Sequence, residues 1–159
     1  MDADCLDATV ADLGDAISYR RCHFFATLPK SYRYTAAHCW LAKIAEPDLW
    51  RVGFAKFAVR MLGDFVEMQA NLKAGERVSI GQEIGSYEGL KAVSSLYCAV
   101  DGLFQRVNPA LDGDGEVSRI DPHGAGWLYE VRGAPDPASL DVHGYVGVLN
   151  ATIDRLQAE

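Results

Sequence analysis

No run of the chain approaches the roughly 20 consecutive apolar residues that a membrane-spanning helix needs. The N-terminus, Met1-Asp2-Ala3-Asp4-Cys5-Leu6-Asp7, is acidic where an export signal is basic and then apolar. Basic charge is in deficit as well: 15 Lys and Arg stand against 22 Asp and Glu, a net charge of −7. That balance argues against nucleic acid or an anionic membrane as the main partner, and suits docking to basic patches on other proteins. A cytoplasmic protein of a bacterium-like cell is the expectation. Cysteine is sparse, with Cys5, Cys22, Cys39 and Cys98 scattered and no CxxC; in a reducing compartment all four are expected as thiols. Cys22-His23 and His38-Cys39 contain two Cys and two His, a zinc donor set on paper. Neighbours on a strand point to opposite faces, so no metal is expected. A Ser/His/Asp set for nucleophilic catalysis is missing, as are internal repeats and low-complexity linkers.

What is present is the apolar content of an ordinary globular domain, 49% of 159 residues, enough to bury a core. Leu6, Val10, Leu13 and Ile17 recur at helical spacing, which predicts an N-terminal helix that Gly14 weakens. Residues 19–30 read as a covering loop or a short strand, with Arg20-Arg21 a solvated pair and Phe24, Phe25, Phe54 and Phe57 in the core. Strands are expected at Tyr34, at 38–43 and at 49–53, with Glu46-Pro47-Asp48 turning between the last two. The period then changes: Phe54, Phe57, Ala58, Met61, Leu62 and Phe65 predict a short helix, ended by Gly63. A strand at 65–68 follows. Dense glycines and short apolar runs from Leu72 onward suggest a small barrel or sandwich. Asn108-Pro109 and Leu111-Asp112-Gly113-Asp114-Gly115 read as a solvated loop without the later carboxylates of a calcium site. Pro122-His123-Gly124-Ala125-Gly126 is a turn into a strand at 127–131. Val142, Tyr145, Val146, Leu149, Ile153 and Leu156 predict a final helix, capped by Ser139 or Asp141 and brought close to the sheet by Gly144 and Gly147.

Residues 84–100 organise the rest. Ile84, Ser86 and Glu88 alternate with Gly85 and Tyr87; Gly89 relaxes a reversal, and Val93, Leu96, Tyr97 and Val100 supply a second strand. Lys91 falls at the tip. A lysine at a hairpin tip is ordinarily a solvated charge. An exposed amine on a rigid hairpin is also one that an enzyme can find and acylate.

Five stretches in order carry a family resemblance. They are Tyr34-Thr35 with His38-Cys39-Trp40-Leu41; Val52-Gly53-Phe54 leading to Leu62-Gly63-Asp64; Glu88-Gly89-Leu90-Lys91-Ala92; Asn108; and Asp121-Pro122-His123-Gly124-Ala125-Gly126-Trp127-Leu128. Together they resemble the glycine cleavage system H proteins over residues 34–131. The resemblance implies a mainly β, barrel-sandwich hybrid (lipoyl-domain-like) fold, with a short internal helix, a C-terminal helix and the N-terminal helix added. It implies a carrier rather than an enzyme, with lipoic acid in amide linkage on Lys91, and Glu88 and Gly102 as the features lipoylating enzymes recognise. Biotin carriers place methionines beside their lysine, and Leu90 and Ala92 differ from them. Implied partners are the lipoylating enzymes and, for glycine breakdown, glycine decarboxylase, aminomethyltransferase and dihydrolipoyl dehydrogenase. Residues 1–33 read as an extension on a carrier domain of residues 34–159.

Where family members hold an aminomethyl cargo against acidic and polar side chains, the matching positions here are Ala37, Cys39 and Ser95, which with His38 would line a cleft for the arm. Two carboxylates are thereby replaced, and a cation without an acidic partner is costly. The alternatives are therefore an H-like lipoate-binding protein of a sulfur-oxidising, heterodisulfide-reductase-like system, or an unlipoylated interaction module. Cys98, seven residues beyond Lys91, is read as a small core residue rather than a partner for the arm's sulfurs.

Overall fold

A computed structural model describes residues 5–63, 65–111 and 116–158. The order is β1 (Thr9–Asp12), β2 (Ala16–Arg21), β3 (Phe24–Pro29), β4 (Arg33–Tyr34), β5 (Cys39–Ala45), β6 (Leu49–Phe54), α1 (Lys56–Leu62), β7 (Phe65–Ala70), β8 (Arg77–Val78), β9 (Glu83–Gly89), β10 (Val93–Tyr97), β11 (Val100–Val107), α2 (Glu116–Ile120), β12 (Tyr129–Pro135) and α3 (Val142–Ala158). A 3-10 turn, Pro109–Leu111, precedes α2. The strands make three sheets: β1-β2-β3, β10-β9-β7, and a six-stranded sheet in the order β4-β5-β6-β12-β11-β8. All recorded strand pairs are antiparallel and the sheets do not close into a barrel. The mainly β expectation holds, as do the short helix ended by Gly63 and the C-terminal helix. The Asp112–Gly115 loop and Asp64 lie outside the described residues.

The expected N-terminal helix is instead a hairpin. Leu6, Val10 and Leu13 are 59%, 44% and 54% exposed, so the helical stripe buries only Ile17. The period that is buried is two: Ile17, Tyr19 and Arg21 on β2, and Phe24, Ala26 and Leu28 on β3, face inward. Gly14 makes the β1–β2 turn at φ +97°, with its N–H donating to Asp12 Oδ1. Phe25, expected in the core, therefore faces outward beneath the side chains of Arg20 and Lys56.

Two more expectations fail at this end. Arg21 is buried, because β2 turns every second residue toward α3. Its Nε donates to Cys5 O, its Nη1 to Asn150 O, and its Nη2 pairs with Asp154 at 2.5 Å. Cys5 and Cys22 are joined in a disulfide rather than free, because Arg21 draws the N-terminal segment against the β2–β3 turn. Cys39 and Cys98 are thiols.

Two cores lie on opposite faces of β5. Leu41, with Val52, Phe54, Ile84, Leu96, Val100, Phe104 and Val131, fills the space between the six-stranded and the β10-β9-β7 sheets. Trp40 and Ala42 face a second core with Ile17, Tyr19, Phe24, Leu28, Phe57, Tyr145 and Leu149. That is why β5 reads as a continuous apolar run. Trp40 lies on its cross-strand partner Gly53, where an added Cβ would meet the indole at 2.6 Å. On α3, Asp141 is the cap, accepting from Gly144 N–H at 2.8 Å; Ser139 accepts from Arg33 Nε instead. Gly147 faces open space, and Gly144 is close to Leu140 and Asp141 at the start of its own helix, so neither lets the helix approach the sheet.

Candidate functional site

The hairpin around Lys91 is registered by Val93↔Glu88, Ser94↔Tyr87 and Ser95↔Ser86, and Gly89 N–H closes on Ala92 O at 2.8 Å. Leu90 and Lys91 remain as its exposed tip, Leu90 being 76% exposed. The tip is braced from outside the hairpin. Lys91 N–H donates to Leu62 O at 3.0 Å, using one of the carbonyls that the end of α1 leaves unpaired. Gly63 ends that helix at φ +67°, its N–H on Arg60 O. The aliphatic stem of Lys91 lies over it: a Cβ at position 63 would sit 2.7–2.8 Å from Lys91 Cγ, Cδ and Cε. The root of the side chain is thus held, with its stem against the C-terminal end of α1. Among the described residues no carboxylate lies within ion-pair distance of the Lys91 amine.

Glu88 is exposed on the outer face of the β10-β9-β7 sheet, opposite Val93 and Glu67. Ser95 shares that face through its pairing with Ser86, and Glu67, Gln69, Ser86, Tyr87, Glu88 and Val93 line a shallow cavity of about 140 Å³. Gly102 lies on β11, where a Cβ would stand 2.0 Å from Arg132 O on β12. Close strand approach alone demands glycine there.

The four positions read as an arm cleft fall in different surroundings. Ala37 is exposed in the β4–β5 turn. His38, at φ +65°, points to α3, with Nδ1 2.8 Å from Tyr145 Oη and Nε2 3.3 Å from Thr152 Oγ1. Thr152 donates to Val148 O, so His38 donates from Nε2 and accepts at Nδ1 from Tyr145. That is the neutral tautomer, and burial pushes its pKa down to about 4. Cys39 turns to the main core, where burial pushes its thiol up to about 12; Cys98, buried with its Sγ on Val100 O, is also raised. Neither is a ready thiolate. The zinc donors do not gather: Cys22 is in the disulfide, His23 is exposed, and among the described residues no three His, Cys, Asp or Glu could hold a metal.

The other motif residues are architectural. Asn108 is buried and fully used, donating from Nδ2 to Ala125 O and Trp127 O and accepting at Oδ1 from Ala110 N–H. Asp121 collects Gly124, Ala125 and Gly126 N–H groups into a tight turn. A Cβ on Gly124 would strike the Asp121 carboxylate, and one on Gly126 the Ser118 Cα. Pro122 O accepts from Trp40 Nε1, and His123 Nε2 from Lys56 N–H. Burial likewise lowers the His123 pKa to about 4. Two features had no signal in one dimension. One is the brace from Leu62 and Gly63. The other is the buried Glu130, which accepts from Arg51 and Arg106 while both guanidinium groups lie over Trp127 at 4.4 and 5.2 Å.

A mainly β body that fixes one hairpin and presents one lysine at its tip defines a class of scaffold built to display a side chain. Comparison with known proteins makes the class particular. The profile of the "Glycine cleavage H-protein" family matches residues 32–141, and the chain belongs to that family. It is 38% identical over 129 residues to the glycine cleavage system H protein of Mycobacterium leprae, covering 77% of this chain and 96% of that one. It is 36% identical over 115 residues to the H protein of Mycobacterium tuberculosis, covering 72% and 84%. A crystal structure of a glycine cleavage system H protein from Mycobacterium marinum superposes with a TM-score of 0.66 at 38% identity, covering 76% of this chain and 97% of that one. No helix among the described residues is long and apolar enough to cross a membrane.

Proposed function

We propose that the chain is a lipoyl carrier that shuttles a group on lipoyl-Lys91 between partner enzymes. The observation that carries this reading is the braced tip. Family membership implies a lipoyl carrier, and Lys91 is an exposed amine whose backbone and stem are both held, by Leu62 O and by Gly63. A fixed root on a long flexible arm keeps the reactive end at high local concentration while it visits several sites. Glu88 and Gly102 serve recognition by the lipoylating enzymes, Glu88 as an exposed charge one strand-turn from the lysine and Gly102 through the strand geometry it permits. Residues 34–159 are the carrier body and residues 1–33 an extension on it, in a cytoplasmic protein. Intact mass after expression in a lipoylation-competent host tests the assignment: the lipoyl increment is expected on Lys91, and an unmodified chain would sink it.

The default cargo is aminomethyl, received from glycine decarboxylase and passed to aminomethyltransferase, with dihydrolipoyl dehydrogenase reoxidising the arm. One observation favours a second reading. Cys39 and Ser95 supply no carboxylate near the hairpin, and Cys39 faces the core, so an ammonium cargo would lack those acidic partners. An H-like carrier of a sulfur-oxidising, heterodisulfide-reductase-like system needs no such partner. Incubating the lipoylated chain with glycine decarboxylase and glycine separates the two; failure to load supports the sulfur cargo.

A further inference from the structure

The Cys5–Cys22 disulfide has no part in bracing Lys91, yet the fold places both at the same end of α1. Lys56, Arg60 and Gly63 follow at i, i+4 and i+7, one face of the helix. Along that face Lys56 Nζ donates to Phe25 O at 2.6 Å, Arg60 Nη1 donates to His23 O at 3.1 Å, and Gly63 lies under the Lys91 stem. Moving toward the C-terminus of α1 therefore moves backward along the chain from Phe25 to His23, and the next residue is Cys22. Gly63 is only about 5 Å beyond Arg60 along the helix axis, so the Lys91 stem lies at the end of α1 toward which the Cys22 turn runs. An arm added to the amine extends from that same end of α1. Both disulfide residues are half-buried rather than sealed. Cys22 Sγ accepts from Gln157 Nε2 at 3.0 Å, and the Arg21 guanidinium donates to Cys5 O beside it. The donor on Cys22 Sγ stabilises its thiolate, and a stabilised thiolate is the better leaving group in exchange.

We propose that Cys5–Cys22 is a redox partner of the arm, reduced by the dihydrolipoyl form carried on Lys91. This rests on the lipoyl reading above. One thiolate of the dihydrolipoyl group attacks Cys5 Sγ; the Cys5–Cys22 bond breaks and its electron pair leaves on Cys22 Sγ, which takes a proton. The arm's second thiolate then attacks the arm sulfur of the mixed disulfide, closing the dithiolane and releasing Cys5 as a thiol. Two electrons and two protons pass from the arm to the cysteine pair. The product is an N-terminal segment no longer tied to the β2–β3 turn. A disulfide in a reducing compartment is usually of this exchanging kind rather than static.

The test uses the full-length chain, oxidised, with the lipoyl increment first confirmed by intact mass. NADH and catalytic dihydrolipoyl dehydrogenase are added, and thiols are quenched, alkylated and mapped by peptide mass. Cys5 and Cys22 are expected to label at a rate independent of chain concentration, at least about tenfold faster than in unlipoylated chain from a lipoylation-deficient host. Hydride consumption is expected to fall from about two equivalents per chain to about one in the Cys5→Ser, Cys22→Ser variant. A labelled arm beside an intact Cys5–Cys22 bond overturns the exchange alone, as does a rate that rises with chain concentration. Lack of the increment on Lys91 overturns the carrier reading and the exchange with it.

Discussion

Lys91 and Gly63 form a pair in which one residue's function depends on what the other leaves out. An alanine at 63 must adopt φ +67° and push aside the Lys91 stem. Gly63→Ala is expected to cost about 1 kcal/mol from the backbone alone, and also to slow lipoylation of Lys91. Gly14→Ala is the control: its φ is +97° but an added Cβ meets nothing within 4 Å. It should lose comparable stability in urea unfolding while Lys91 is modified at the wild-type rate. Equal lipoylation rates in the two variants would show that the stem contact does not matter. Lys91→Ala should remove the lipoyl increment in intact mass and leave the unfolding free energy within about 0.5 kcal/mol, as for an exposed side chain.

At the scale of elements, β6, β12 and β11 are joined on one face by core packing and on the other by Glu130. Its carboxylate is 3% exposed, and its two partners come from the strands on either side, Arg51 at 28% and Arg106 at 56% exposure. Removing its charge leaves Arg51 beside Trp127 without a counter-ion. Glu130→Gln is expected to lower stability by about 2 kcal/mol, measured by urea unfolding. The lipoyl increment on Lys91 should survive, since the network belongs to the six-stranded sheet and not to the hairpin. The short strands, the α1 helix and its glycine stop were legible in sequence because each is written in a local period and a local terminator. The N-terminal sheet was not. Leu6, Val10, Leu13 and Ile17 satisfy a helical spacing by coincidence, whereas the period-two set Ile17, Tyr19 and Arg21 contains a charged residue that looks solvated until Asp154 and Asn150 are seen opposite it.

The whole molecule carries a pH dependence through two histidines on different elements. His38 accepts at Nδ1 from Tyr145, and His123 accepts at Nε2 from Lys56 N–H, so the fold binds both neutral. Burial is the larger cause of the lowering in each case, from 6.5 to about 4. Between those values the unfolded chain binds more protons than the folded one. Stability is therefore fully present above about pH 6.5 and is lost as pH falls through about 4. Urea midpoints from pH 8 to pH 4 should trace that fall. His123→Gln should be less stable at pH 8 but show a shallower slope; an unchanged slope would mean that His123 is not a source of the dependence.

The sequence by itself determined the hairpin, the lysine at its tip, the mainly β class and the family, since these rest on short-range patterns and on motif order. Even the motif residues that do no chemistry, Asn108 and the turn from Asp121 to Trp127, are there because buried backbone groups need partners. Only the tertiary structure decided what surrounds the lysine. The brace from Leu62 and Gly63, the burial of Arg21 and Glu130, the turning of Cys39 into the core and the joining of Cys5 to Cys22 all depend on residues far apart in the chain meeting across packed elements. Such meetings are set by which faces must leave water, and no local spacing records them.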